Sequence, residues 1–324
     1  MSEDTGGGMW PAAGGGGSSL CFVIPTYNRV AALMSCMAHL ERQSFADFEV
    51  IVVNDGSTDG TVEQMTAYQR TSPLRLRFVS QENAGPAKAR NVAIGMTTAP
   101  VCVFIGDDIL CTPSFAAAHW EFHQRNPEPK FAALGLTQWS ETEQVVTPFM
   151  RWMDESGSQF EYGDLQRGIA PEWRHFYTSN LSVKTELLRR ERFDERFTGG
   201  GWLLEDVELG HRLVVREGLR LVFLPEALAE HVHPTDFRKA CARAYGAGVS
   251  AVMLDRIWQG LNTVEHGAVY KFLRGILCRN AWVLRPLRAV TDRLTRMWCP
   301  NPLLRPVLSL HAAVGRYEAG KMHR

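Results

Sequence analysis

Apolar and polar positions change rhythm along this chain in a regular order. From residue 20 the run LCFVI is followed by helical spacing over 30–41 and then by FEVIVV, a segment apolar on both faces. A strand with no polar side is one covered by helices above and below. The alternation continues with a helix after Gly60, the strand LRLRFV, a helix from about Pro86 and the strand VCVFI. This succession predicts an α/β fold on a mostly parallel, doubly wound sheet flanked by helices.

Thr112-Pro113 has the form of an N-cap followed by proline at the first helical position, and predicts a helix to about 125. FAALGLT and TSNLSV read as strands, WLLEDVELGHRLVVREG as a helix stopped by Gly218, and LRLVFLP as a further strand. Residues 140–176 lose the rhythm and are expected to form an insertion that shapes a pocket. Beyond 236 the pattern is helical, broken by Pro286, Pro300, Pro302 and Pro306. Three parts follow: a Gly-rich leader over 1–19, too poor in apolar residues to offset its ordering entropy, an α/β domain over 20–235, and a helical region over 236–324.

Charge sharpens that division. The 324 residues balance 35 Lys and Arg against 35 Asp and Glu, which excludes a generic nucleic-acid binder, yet residues 236–324 hold 15 basic against 5 acidic side chains. Basic residues among Leu, Val and Trp suit either an interfacial amphipathic helix or a helical cover on the sheet. Seven scattered cysteines without a CxxC pair exclude a zinc cluster or a dithiol motif and fit a reduced, cytoplasmic setting. No uncharged apolar run approaches the roughly 18 to 20 residues of a membrane span, and the first residues lack the basic segment and apolar h-region expected of a signal peptide. The expected location is the cytoplasm, with peripheral contact at the inner face of the membrane as the alternative.

Candidate chemistry sits at strand ends. Asp55 follows FEVIVVN and the pair Asp107-Asp108 follows VCVFIG, so both fall at the carboxyl edge of one sheet, where ligands of open α/β folds collect. Adjacent carboxylates repel unless a cation compensates, and Mg²⁺ or Mn²⁺ would do so; capping the next turn is the plainer role. Asp55 could accept hydrogen bonds from a nucleobase or ribose, while Asp59 or Thr58 caps the helix that follows.

Five motifs in order, VIPTYNR at 23–29, VVNDGSTDGT at 52–61, NAGPAKARNVAI at 83–94, FIGDDI at 104–109 and GGGWLLEDVELGHRL at 199–213, together resemble glycosyltransferase family 2. The resemblance implies a GT-A fold with a C-terminal helical extension. It also implies inverting transfer of a sugar from a nucleotide-diphosphate donor to an acceptor hydroxyl, in polysaccharide, glycolipid or glycoconjugate synthesis. By the same resemblance Pro25, Thr26, Tyr27 and Arg29 border the nucleotide, Asp55 meets the base, and Arg90 lies near the nucleotide or its diphosphate. Asp107 and Asp108 correspond to the DxD-type motif, Asp108 as ligand of Mn²⁺ or Mg²⁺ and Asp107 nearer the ribose. Gly106 stands where many members carry an acidic residue. Glu205-Asp206 corresponds to the pair that supplies the general base, Asp206 in first place and Glu205 as the alternative; acidic residues are also common in a first helical turn.

Trp202 either stacks on the acceptor or packs in the core. Lys88 suits an anion or a surface ion pair. His231 and His233 follow the last predicted strand, and at most one, His233, is expected to face inward as a metal ligand. His119 and His123 share zinc-binding spacing, but a solvated helix face is the expectation. A nucleotidyltransferase and a non-catalytic sugar-nucleotide-binding protein are the competing readings, the first disfavoured because no GxGxR loop follows the first strand.

Overall fold

The structure is a computed structural model that describes residues 17–163, 165, 171–197, 204–259, 284–297 and 301–321. Strands β1 (Leu20–Thr26), β2 (Phe48–Asn54), β3 (Arg75–Ser80) and β4 (Val101–Ile105) are linked by α1 (Val30–Leu40), α2 (Thr61–Thr71) and α3 (Pro86–Met96). All their mutual pairings are parallel, as crossover helices require. The remaining strands are β5 (Ile109–Cys111), β6 (Phe131–Trp139), β7 (Asn180–Lys184) and β8 (Arg220–His231). One eight-stranded sheet results, in the order β3-β2-β1-β4-β7-β6-β8-β5.

The two-faced apolar strands divide their side chains between two cores. Val23, Ile51, Val53 and Phe104 pack with Ala89, Ala93 and Ile94 of α3 and with Leu209 and Leu213 of α7 (Glu205–Glu217). Their neighbours Phe22, Ile24, Val50, Val52 and Val103 face Leu33 and Met37 of α1 and Phe115 of α4 (Phe115–Arg125). Period-two alternation inside an all-apolar strand is what lets one strand serve both layers.

Sequence order and structure part company in the second half of the sheet. β7 runs antiparallel to β4, with Asn180 opposite Ile105. β8 does not stop at Pro225: after a bulge, where Leu224 pairs with Gly135 but Leu228 with Leu136, it resumes and reaches His231 opposite Ile109 of β5. Asn180 serves this irregularity, its Nδ2 donating to the carbonyls of Leu136 at 3.1 Å and Ala227 at 2.8 Å.

The solvated face expected for His119 and His123 is corrected, for both are buried. His119 sits with Nδ1 2.8 Å from Ser182 Oγ and Nε2 3.1 Å from Asn180 Oδ1, and His123 Nε2 lies 2.8 Å from the same hydroxyl. Polar partners on β7 let imidazoles occupy the helix–sheet interface. Ser18 and Ser19, placed in the leader by sequence, are also buried, and Ser19 Oγ donates to Asp47 Oδ2 at 2.6 Å.

Two further helices, α5 (Pro148–Glu155) and α6 (Thr185–Arg190), precede α7, and α8 (Phe237–Ile257), α9 (Leu284–Met297) and α10 (Asn301–Lys321) follow β8. Phe149, Trp152 and Met153 of α5 form one core with Phe237, Leu304 and Val307. α5, within the 140–176 stretch, is thereby packed against the basic helices. Among the described residues, no helix is long and apolar enough to cross a membrane.

Candidate active site

Strand direction gathers the chemistry. Thr26, Asn54 and Ile105 end parallel strands at one edge. Because Asn180 pairs with Ile105, the approach to β7 lies at that edge too, and pairing with β5 brings the end of β8 beside Asp108.

Asp107 and Asp108 lie in the turn between β4 and β5 and are both buried. Asp107 Oδ2 accepts from Thr26 Oγ1 at 2.7 Å, and its Oδ1 accepts from Arg29 Nη1 at 3.2 Å. The same Arg29 nitrogen donates to Asp108 Oδ2, which also lies 3.3 Å from His231 Nε2 and 3.1 Å from His233 Nδ1. Burial and the adjacent Asp108 charge push the Asp107 carboxyl upward. For Asp108 burial acts in the same upward sense, but His231, His233 and Arg29 outweigh it and hold the group well below the usual carboxylate range.

The expectation that only one histidine faces inward is corrected. Residues two apart on an extended chain share a face. His231 and His233 accordingly stack on each other, ring centroids 5.3 Å apart, while Trp139 stacks on His231 at 5.1 Å. The Val232 amide between them donates to the Asp108 carbonyl at 2.9 Å and fixes the register.

One ligand atom from each of Asp108, His231 and His233 lies within 4.8 Å of the others. A carboxylate with two imidazoles suits a divalent ion of the Mn²⁺ type, so these residues fit one. Gly106 leaves that carboxylate its place: a Cβ there would stand 2.6 Å from Asp108 Oδ1.

The VIPTYNR and NDGSTDG loops are tied together. Asn28, at φ 53°, accepts from Thr58 N at 2.7 Å, and Asp59 Oδ2 accepts from the first amide of α1, Val30 N, at 3.0 Å. Asp59 therefore serves α1 as well as Thr61 at the start of α2. Tyr27 is 50% exposed at this rim, beside the half-buried Pro25. Asp55 is buried, its Oδ1 accepting from Gln81 Nε2 at 2.7 Å and Ala84 N at 2.9 Å, and its Oδ2 from Gly85 N at 2.9 Å. Three of its roughly four acceptor positions thus hold the loop that leads into α3.

Arg90 is drawn to Glu205: its Nη1 donates to Glu205 Oε1 at 2.7 Å, and both side chains are buried. Asp206 Oδ1 accepts from Val207 N at 2.8 Å, and its Oδ2 accepts from the amide and hydroxyl of Thr178, each at 3.3 Å. Burial and the neighbouring Glu205 charge push the Asp206 carboxyl up to about 6. Leu204, which precedes the pair, adopts φ 102°, a costly backbone for a branched residue and one that concentrates at functional sites. Tyr177 and Phe160, 5.2 Å apart, join the Thr178 segment to His231, whose ring is 6.2 Å from Phe160.

Trp202 lies outside the described residues. Lys88 is exposed and lines a separate surface cavity of about 770 Å³ with Arg192 and Glu208. Sequence reasoning set His231 aside in favour of His233 and did not single out Thr178; the first was legible from strand parity, and the second lay unremarked in TSNLSV.

Comparison with known proteins places these features. The family model described as Glycosyl transferase family 2 matches residues 21–182. Validoxylamine A glucosyltransferase of Streptomyces hygroscopicus subsp. jinggangensis is 35% identical over 223 residues, 60% of this chain and 51% of that protein. The chain spans about half the length of the curated relatives it matches first. Among solved structures, mannosyltransferase PcManGT from Pyrobaculum calidifontis, in complex with GDP-Man and Mn²⁺, superposes with a TM-score of 0.59 at 17% identity, covering 93% of this chain and 86% of that one. S. aureus TarS 1–349 gives 0.51 at 17%, covering 94% and 93%. At such identities the likeness establishes the fold, which is GT-A.

Proposed function

The chain belongs to glycosyl transferase family 2, and on that footing we propose that it is an inverting, divalent-metal-dependent glycosyltransferase acting on a nucleotide-diphosphate sugar. The carrying observation is the split between two adjacent carboxylates: Glu205 is bound to Arg90, whereas Asp206 is raised to about 6 and held by Thr178 at the same sheet edge as Asp108. A carboxylate of that basicity is ionised at neutral pH yet strong enough to take a proton from a hydroxyl in the transition state.

In this reading Asp206 accepts the acceptor's hydroxyl proton as the oxygen bonds to the anomeric carbon. The bond from that carbon to the diphosphate breaks, its electron pair leaving with the diphosphate, so one displacement inverts the anomeric centre through an oxocarbenium-like state. Asp108, His231 and His233 would hold Mn²⁺ or Mg²⁺, which supplies Lewis-acid neutralisation of the leaving group when bound. Asp107, Thr26 and Arg29 position the donor's ribose and phosphate side, with Pro25 and Tyr27 at the rim. Asp55 keeps the base-binding loop in place and has one acceptor position left for the base. Trp202 remains the acceptor-stacking candidate.

PcManGT with GDP-Man and Mn²⁺, and TarS 1–349 solved with UDP-GlcNAc, support a nucleotide-sugar donor. The relative named for glucosyl transfer supports a hexosyl donor. The acceptor class is a polysaccharide, glycolipid or glycoconjugate under synthesis. Peripheral membrane contact is supported by α9, where Leu287 and Val290 are exposed along with Arg285 and Arg293.

A thermal-shift panel of UDP, GDP, dTDP and CDP, each with and without Mn²⁺, tests the reading, because a ligand bound by the native state raises its melting temperature. One nucleotide should stabilise the protein more with Mn²⁺ than without. No shift with any of them would remove the donor assignment.

A further inference from the structure

The 140–176 stretch brings one aromatic side chain to the two halves of the site. Phe160 is half-buried and is a member of none of the hydrophobic cores formed by the described residues. Its ring contacts are with the site instead. His231 lies 6.2 Å away, and Tyr177, next in sequence to the Thr178 that holds Asp206, lies 5.2 Å away. A third ring, Tyr162, is 5.4 Å from Phe160; Tyr162 and Tyr177 both pack against the core that α3 and α7 share. Phe160 is the one of the three that this core does not claim.

Hydrogen bonds on both sides fix its place. Ser158 N and Gln159 N donate to the Met153 carbonyl at 2.8 and 3.2 Å. Gln159 Oε1 accepts from Arg243 Nη1 of α8 at 2.8 Å, and Glu161 N donates to Tyr177 Oη at 3.4 Å. A ring positioned before its ligand arrives loses little freedom on binding, which favours affinity.

The reaction dictates what lies beside this ring. The donor's diphosphate belongs with Asp108, His231 and His233, and the acceptor hydroxyl with Asp206. The anomeric carbon is bonded to the first and attacked by the second, so its sugar ring occupies the ground between them. Phe160 touches both ends of that ground, through His231 and Tyr177. His231 has no free face of its own, being stacked between Trp139 and His233. An aromatic face is negative at its centre, and a hexopyranose presents weakly positive C–H groups on its less hydroxylated side.

We propose that Phe160 is the platform on which the pyranose ring of the donor stacks, so that the 140–176 stretch contributes a sugar-binding residue. The inference rests on the nucleotide-sugar reading above and adds to it a residue outside the five sequence motifs. Stacking holds the sugar with its anomeric carbon between the leaving group and Asp206.

The experiment measures affinities of the full chain by calorimetry in Mn²⁺ without acceptor. Its ligands are whichever of UDP, GDP, dTDP or CDP shifts the wild-type melting temperature most, and the tightest of that nucleotide's glucose, galactose, mannose and N-acetylglucosamine esters. Phe160→Ala should weaken the nucleotide sugar about five-fold, the loss of one aromatic contact, while the diphosphate changes by less than about two-fold. Phe160→Leu, which keeps apolar bulk without a π face, should show most of the same loss and serves alone should the alanine variant fail to fold. Phe160→Tyr should bind the nucleotide sugar as the wild type does. Equal losses for both ligands, no loss for either, wild-type affinity in the leucine variant, or a tyrosine variant as weak as alanine would each overturn the proposal and leave the glycosyltransferase reading standing. A wild type that binds none of the four diphosphates overturns both.

Discussion

Arg90 holds Glu205 in a buried ion pair 2.7 Å long, and by doing so gives it a different environment from Asp206, its neighbour in sequence, which is held by Thr178. Removing one partner of a buried pair strands the other charge, which costs about 3–5 kcal/mol, whereas replacing both by apolar groups costs far less. Glu205→Ala should therefore lower unfolding free energy in urea by that amount, and Arg90→Met with Glu205→Leu should recover most of it. A Glu205→Ala protein of wild-type stability would show that the pair does not carry this part of the fold.

The pH profile should report Asp206. Its carboxyl is raised to about 6, so the proton is bound below that pH and the base form is present above it. At saturating metal, log kcat/KM should be level between about pH 7 and 8 and fall with unit slope as pH drops through about 6. A profile flat down to pH 5 would exclude a base of this basicity.

Both histidines of the β8 end should matter to metal binding, because both face Asp108. His231→Ala and His233→Ala should each weaken Mn²⁺ binding about ten-fold or more in an electron-paramagnetic titration, and Asp108→Ala should weaken it further. Should His231→Ala bind Mn²⁺ as the wild type does, the ligand set contracts to the pair named from sequence.

If the proposed membrane contact runs through α9, its exposed Leu287 and Val290 beside basic residues should give affinity for anionic vesicles. Flotation with phosphatidylserine-containing vesicles should recover the protein at low salt, and Leu287→Asp with Val290→Asp should abolish recovery. Unchanged flotation of that variant would detach the helix from membrane contact.

How far the sequence discloses this molecule depends on the range of the interactions involved. β1, β2 and β4 were legible because burial on both faces leaves an all-apolar signature, and Asp107 and Asp108 could be placed because a strand's end is a local property. β8 was read short because Pro225 looks like a terminus, whereas pairing with β5 and β6 restores the strand beyond it. His119 and His123 were misread because helix spacing alone does not show that Ser182 and Asn180 wait opposite them.

The central claim, that Asp206 removes the acceptor's proton, is tested most directly by the single-turnover rate of Asp206→Asn with Glu205 left intact. The account predicts a loss of about 10² to 10⁴-fold in the chemical step, with nucleotide and Mn²⁺ affinity unchanged. Transfer at the wild-type rate by that variant would contradict it.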